Sequence, residues 1–165
     1  MKWIAIAGGW RKTNSQIEEQ VRSAAKNIIS RGDGIVSGGA LGVDFIATDE
    51  ALSLGAGKNQ LKIFIPSTLE TYSNHYLRRA EEGVITKEQA SALIFQLEKV
   101  KEISSLVEGD QTILNKESYF NRITKIIEHS DELIAFHINN TEGTQDTINK
   151  ANKKEIPVKI FSYSI

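Results

Sequence analysis

The sequence predicts an α/β protein in three layers, with a doubly wound, mostly parallel sheet covered by helices on both faces. Two observations carry that prediction. Apolar runs of four to six residues alternate with longer amphipathic stretches. The runs are rich in Ile, Val and Phe and lack the polar alternation of a half-exposed strand, as parallel strands buried on both faces require. At 165 residues the chain is expected to form a single domain, 1–165, since that length suits one such sheet and is short for two.

The elements follow in order. The first strand is "WIAIA", Trp3 to Ala7, ended by two glycines. Helix 14–31 begins at Asn14, a good N-cap, with Glu18 and Glu19 in the opening turns where the helix dipole favours acids. "GIVS", Gly34 to Ser37, is the second strand and 43–55 its helix; "KIFI", Lys62 to Ile65, is the third, followed by a helix at 74–82. Residues 86–107 break the alternation. Ala90, Leu93, Ile94, Leu97 and Val100 fall at helical spacing there, and Thr86 and Gln89 have capping-box spacing. An added helix packed on its own domain is expected. The polar loop 108–118 then leads to helix 117–129, the strand "ELIAF" (Glu132 to Phe136), helix 143–154 and the strand "PVKIF" (Pro157 to Phe161). Strand, helix, strand in repetition implies right-handed crossovers.

Composition excludes several chemistries. The chain has no cysteine, which removes disulfides, thiolate zinc sites and a cysteine nucleophile. His75, His129 and His137 are widely separated and show no metal-ligand spacing. No cofactor is required by anything in the sequence. The formal charge is −1, so there is no basic excess to grip nucleic acid, although Arg11, Lys12, Arg78, Arg79 and Arg122 can assemble a local patch. Trp10, Tyr72 and Tyr76 then offer rings for stacking bases. The N-terminal apolar run is too short for a secretory or membrane segment, and a cytoplasmic location is expected.

Small residues crowd three strand exits. Ser37, Gly38, Gly39, Ala40 and Gly42 precede the helix starting near Val43. Gly8, Gly9 and Trp10 follow the first strand, and Thr141, Glu142, Gly143 and Thr144 open the last long helix. Glycine lets backbone N–H groups approach an anion, and the helix N-terminus adds partial positive charge. The spacing is neither the dinucleotide fingerprint nor a Walker A loop. In an open parallel sheet such exits share the edge where ligands bind, so a nucleotide or phosphate ligand is expected there. Arg78, Arg79 or Arg122 would balance its charge, unless Arg122 serves a surface ion pair. Asp44 either caps its helix or grips a ribose hydroxyl. His75 has no identifiable carboxylate partner for acid or base work.

"IVSGGALGVDFIATDEAL", Ile35 to Leu52, resembles the Ser-Gly-Gly-Ala-x-Gly-x-Asp segment of the DprA/Smf DNA-processing family. "YFNRITKIIEHSDELIAF" and "TEGTQDTINKANKKEIPVKIF" extend the likeness over most of the chain. The layout is similar to the wider superfamily that joins DprA with LOG-type, "lysine decarboxylase-like" proteins. That resemblance implies a Rossmann-like fold holding a nucleotide or nucleotide-derived ligand, as a sensor or binding module. Two alternatives come with it. DprA-like proteins bind single-stranded DNA. LOG-type proteins are nucleoside monophosphate phosphoribohydrolases, but they carry Pro-Gly-Gly-x-Gly-Thr-x-x-Glu, and Thr147 stands here at the glutamate position, where it cannot act as a carboxylate base. A homodimer, through the 86–107 helix or a sheet edge, is a further expectation.

Overall fold

A computed structural model describes residues 1–165. The strands are β1 (Trp3–Gly8), β2 (Gly34–Gly38), β3 (Leu61–Phe64), β4 (Leu106–Val107), β5 (Glu132–Ile138) and β6 (Val158–Tyr163). The helices are α1 (Ser15–Ser30), α2 (Val43–Ser53), α3 (Leu69–Glu81), α4 (Lys87–Glu102), α5 (Lys116–Glu128) and α6 (Glu142–Lys154). All strands are parallel and lie in the order β4-β3-β2-β1-β5-β6. The chain therefore runs outward from β1 to β4, crosses back, and continues from β5 to β6. The reversal falls between β1 and β5.

Strand periodicity divides the core into two. Ile4, Ile6, Ile35 and Ile63 point into a large core with residues of α1 to α4, while Ala5, Val36, Leu133 and Ala135 point the other way, against Ile126, Ile127, Ile148 and Ala151 of α5 and α6. Burial on both faces explains why the strands read as unbroken apolar runs.

Two expectations need correction. The helix predicted over 86–107 stops at Glu102; Ser104 takes a left-handed φ of 62°, and Leu106–Val107 form β4 by pairing with Ile63 and Phe64. Two residues show no readable period. The helix predicted at 74–82 starts earlier, at Leu69, because Thr68 Oγ1 accepts from Thr71 N and caps it. The added helix α4 does have its capping box, and its Ala90, Leu93, Leu97 and Val100 join the large core.

At the amino-terminal edge of the sheet the loose ends are tied. Lys2 N donates to Asp33 Oδ1 (2.8 Å) and Trp3 N to Asp131 Oδ2 (2.8 Å). Gln60 Nε2 donates to Ile29 O and Asp33 O. Lys154 Nζ donates to the carbonyls of Ile127, Glu128 and Ser130, at the C-terminus of α5. No helix is long and apolar enough to cross a membrane.

Candidate functional site

At the opposite edge, where strand order reverses, the exits of β1, β2 and β5 surround a cleft of about 630 Å³. Its shape depends on glycine at two places. A Cβ on Gly8 would lie 2.6 Å from Val43 Cγ2 and 2.7 Å from Phe136 O, so only glycine lets β1 end between α2 and β5. Gly42 has φ of 85°, and a Cβ there would meet Gly9 O at 2.4 Å. The two loops are also stitched together by Val43 N donating to Gly9 O and Arg11 N donating to Leu41 O.

The predicted glycines consequently divide. Gly8, Gly38 and Ala40 line the cleft. Gly9 packs against Ile138, Gly39 against Ile65 and Leu97, and Gly42 against the β1 loop, so these three shape the wall from behind.

At the floor, Gly38 lies between two charges. A Cβ on it would stand 2.7 Å from Asp44 Oδ2 and 2.9 Å from Arg122 Cζ. Asp44 is buried, with Oδ1 accepting from Ser37 Oγ (3.0 Å) and Oδ2 from Ala40 N (3.4 Å). It thus braces the loop before its own helix, while Ser37 is fully buried behind it. Burial pushes the Asp44 carboxyl above the usual carboxylate value, only partly opposed by Arg122, Ser37 and Ala40 N.

Arg122 stands in the second turn of α5 rather than at its start. It forms no ion pair, and its Nε and Nη1 are shielded from water without any hydrogen-bond partner. Its guanidinium lies 5.3 Å from the centre of the Tyr119 ring. Burial works against its charge, but the acidic groups around it, Asp44 among them, outweigh it and Arg122 remains a cation. Burial also raises the phenols of Tyr72, Tyr76 and Tyr119, which stay neutral; Tyr72 donates to Gly39 O and lies behind the wall.

The far wall is the start of α6. Asn139 and Asn140 take left-handed φ values of 53° and 52°, which asparagine tolerates, and turn the chain into that helix. No side chain caps its first turn, because Thr141 Oγ1 donates to Thr144 Oγ1 instead of receiving a backbone N–H. A Cβ on Gly143 would meet nothing within 4 Å. The helices α1, α3, α4 and α5 have side-chain caps; α2 and α6 have none, and both begin at the cleft. Glu142 stays on the rim, paired with Lys116 at 2.6 Å. Thr147 is buried and donates to Gly143 O within the helix, and the nearby Asp146 is paired with Lys150.

The remaining candidates separate as well. Arg79 and His75 line the cleft and Arg78 does not. Burial, then Arg79 and Arg78, hold the His75 imidazole below its ordinary value, which leaves it neutral near pH 7. Trp10 is partly exposed at the mouth with Arg11 stacked on its ring at 4.9 Å. Sequence reasoning missed Lys116, taken as part of a polar, exposed loop, and Tyr119 and Phe120, placed in helix 117–129 without a role in the site. The available signal was "KESYF": Lys116 lies over the Phe120 ring at 5.4 Å, four residues away on one helical face. The cleft wall holds five cations, Arg11, Lys12, Arg79, Lys116 and Arg122, against the single acid Asp44. A net charge of −1 conceals this local excess.

The fold has counterparts among solved structures. A DNA processing protein A from Helicobacter pylori, described for its single-stranded DNA binding mode, matches with a TM-score of 0.68 and 22% identity over 96% of this chain and 64% of its own. The molybdenum cofactor binding protein of Rippkaea orientalis matches with a TM-score of 0.62 and 15% identity, covering 98% of this chain and 76% of that one. DprA from Streptococcus pneumoniae matches with a TM-score of 0.51 and 16% identity, over 95% and 58%. The chain thus spans about three fifths of the two DNA processing proteins. No curated protein matches it significantly in sequence. The model of the DNA recombination-mediator protein A family matches residues 1–164, nearly the whole chain. The Rossmann-like α/β fold agrees with that match, and the chain belongs to the DNA recombination-mediator protein A family.

Proposed function

We propose that the cleft binds single-stranded DNA, one nucleotide unit at a time, and that this chain is a binding module. The observation that carries this reading is Arg122, a cation held at the cleft floor with two nitrogens lacking any partner. A buried, unpaired guanidinium costs stability, and an incoming ligand that accepts its hydrogen bonds recovers that cost. Family membership, the five cations and the rings of Trp10, Tyr76, Tyr119 and Phe120 support a strand as the ligand. At the position where LOG-type hydrolases carry glutamate, the buried Thr147 offers no carboxylate.

A free mononucleotide is the second reading, favoured by the 630 Å³ volume, which is that of a small-ligand site. Fluorescence anisotropy with a labelled 15-nucleotide oligo-dT, competed by duplex and by dTMP, decides between them. A strand-binding site gives log K falling with log salt at a slope of about −2, as about three phosphate contacts dictate, and duplex competes poorly. If dTMP competes as well as the oligonucleotide, the mononucleotide reading replaces this one.

A further inference from the structure

A second, smaller cavity of about 270 Å³ lies where β3 and β4 end, closed on its other side by one face of α5. Its frame is tied down. Gly109 N donates to Ser67 O and Gln111 N to Pro66 O, and a Cβ on Gly109 would overlap Pro66 O, so the chain leaving β4 is pressed onto the exit of β3. Phe64, Pro66 and Val107 give the cavity apolar walls. Charges of both signs line the rest. Glu108 is already engaged by Leu69 N and Lys101, but Asp110, Lys125 and Glu128 form no ion pair. Lys125 and Glu128 stand three residues apart on one helix, a spacing that permits a pair, and still remain separate. Arg122, with its two unpaired nitrogens, is the only residue that lines both this cavity and the cleft.

We propose that this second cavity binds a free α-amino acid with an apolar side chain, its carboxylate on Lys125 and Arg122 and its ammonium held by the unpaired acids. Unpaired cations and unpaired acids around one small space suit a ligand that carries both charges. A ligand with one charge would leave the opposite set unmatched. The volume is at the small end for ligand sites, and the Phe64, Pro66 and Val107 walls accept an apolar side chain. Because Arg122 serves both cavities, a carboxylate that engages it from this side competes with the ligand of the cleft. The bound amino acid therefore lowers strand affinity. That coupling, unlike the site itself, rests on the strand-binding reading.

Isothermal titration calorimetry tests the site with L-leucine and its two single-charge analogues, isocaproate, which lacks the ammonium, and isoamylamine, which lacks the carboxylate. Leucine is expected to bind, and each analogue at least tenfold more weakly. Lys125→Met is expected to weaken leucine at least tenfold with the melting temperature kept, since Lys125 is exposed and unpaired. Anisotropy with oligo-dT then reads the coupling, and saturating leucine is expected to weaken the strand at least threefold. Failure of leucine, valine and phenylalanine alike to bind at millimolar concentration overturns the site. So does isocaproate binding as tightly as leucine, or a Lys125→Met protein that binds leucine unchanged. Strand affinity indifferent to bound leucine overturns the coupling. If no strand binds the unaltered protein, the strand-binding reading falls while the calorimetry still decides this site.

Discussion

The two edges of the sheet are built by opposite rules. At the amino-terminal edge, backbone ends find partners: Asp33 and Asp131 take the first N–H groups, and Lys154 closes three carbonyls at the end of α5. At the carboxyl-terminal edge, at the far ends of the same inner strands, two helices begin without side-chain caps and Arg122 keeps two nitrogens unpaired. Both edges come from the same strands. Stability resides at the edge where polar groups are satisfied, and the proposed ligand affinity at the edge where they are left over.

The sharpest way to break that contrast is Arg122→Met. Removing the unpaired guanidinium is expected to weaken strand binding about 100-fold, equivalent to about 2.7 kcal/mol, and to raise the melting temperature by a few degrees as buried unsatisfied donors disappear. A fall in melting temperature would show that Arg122 is structural. Lys154→Met addresses the opposite edge. It is expected to cost about 1 kcal/mol and lower the melting temperature by about 2–4 °C while binding stays unchanged, because three carbonyls lose a charged donor; anisotropy and a thermal melt read both.

Acid distinguishes the edges by sign. Asp33 is held below its ordinary value by Arg31 first and then by Lys2 N, so its contribution is present above an unfolded pKa of about 3.8 and is lost as pH falls through the lower folded value. Asp44 is raised by burial, so its contribution is complete below about 3.8 and is lost as pH rises through the higher folded value. Urea unfolding between pH 2.5 and 6 should therefore show Asp33→Asn losing ground against the unaltered protein as pH rises, and Asp44→Asn gaining it. Parallel curves for the two variants would contradict the assignment. The smallest effect is expected from Thr141→Asp, which gives α6 the cap it lacks. It should stabilise the fold by about 0.5–1 kcal/mol and weaken strand binding two- to fivefold, since the new carboxylate occupies the N–H groups at the cleft.

The sequence disclosed the interior of the sheet better than its margins. Runs such as "WIAIA" and "ELIAF" are buried on both faces and announce themselves, whereas β4 has only two residues and was hidden inside a helical pattern. Strand exits were legible through their glycines, but glycine has two uses that look alike in sequence. Gly8 and Gly38 open the cleft, while Gly9, Gly39 and Gly42 let loops and core side chains approach each other. Arg122 could be nominated from its residue type. That its guanidinium is buried among Asp44, Tyr72, Tyr76 and Tyr119 depends on three different helices, and no local pattern contains that information.

Strand order also sets when the cleft can exist. Trp3 N bonds Asp131 across 128 residues, and β1 has no neighbour on that side until β5 arrives. The β1 and β2 loops belong to the first part of the chain, but Lys116 and Arg122 lie on α5, within the crossover that returns from β4 to β5, and the α6 N-terminus follows it. Closing so long a loop is entropically expensive and occurs late in folding. A chain still on the ribosome with only its first hundred residues exposed would hold the glycine loops with Arg11, Lys12 and Arg79 but without Lys116 and Arg122. Competence for the proposed strand binding would thus report that the whole sheet has closed.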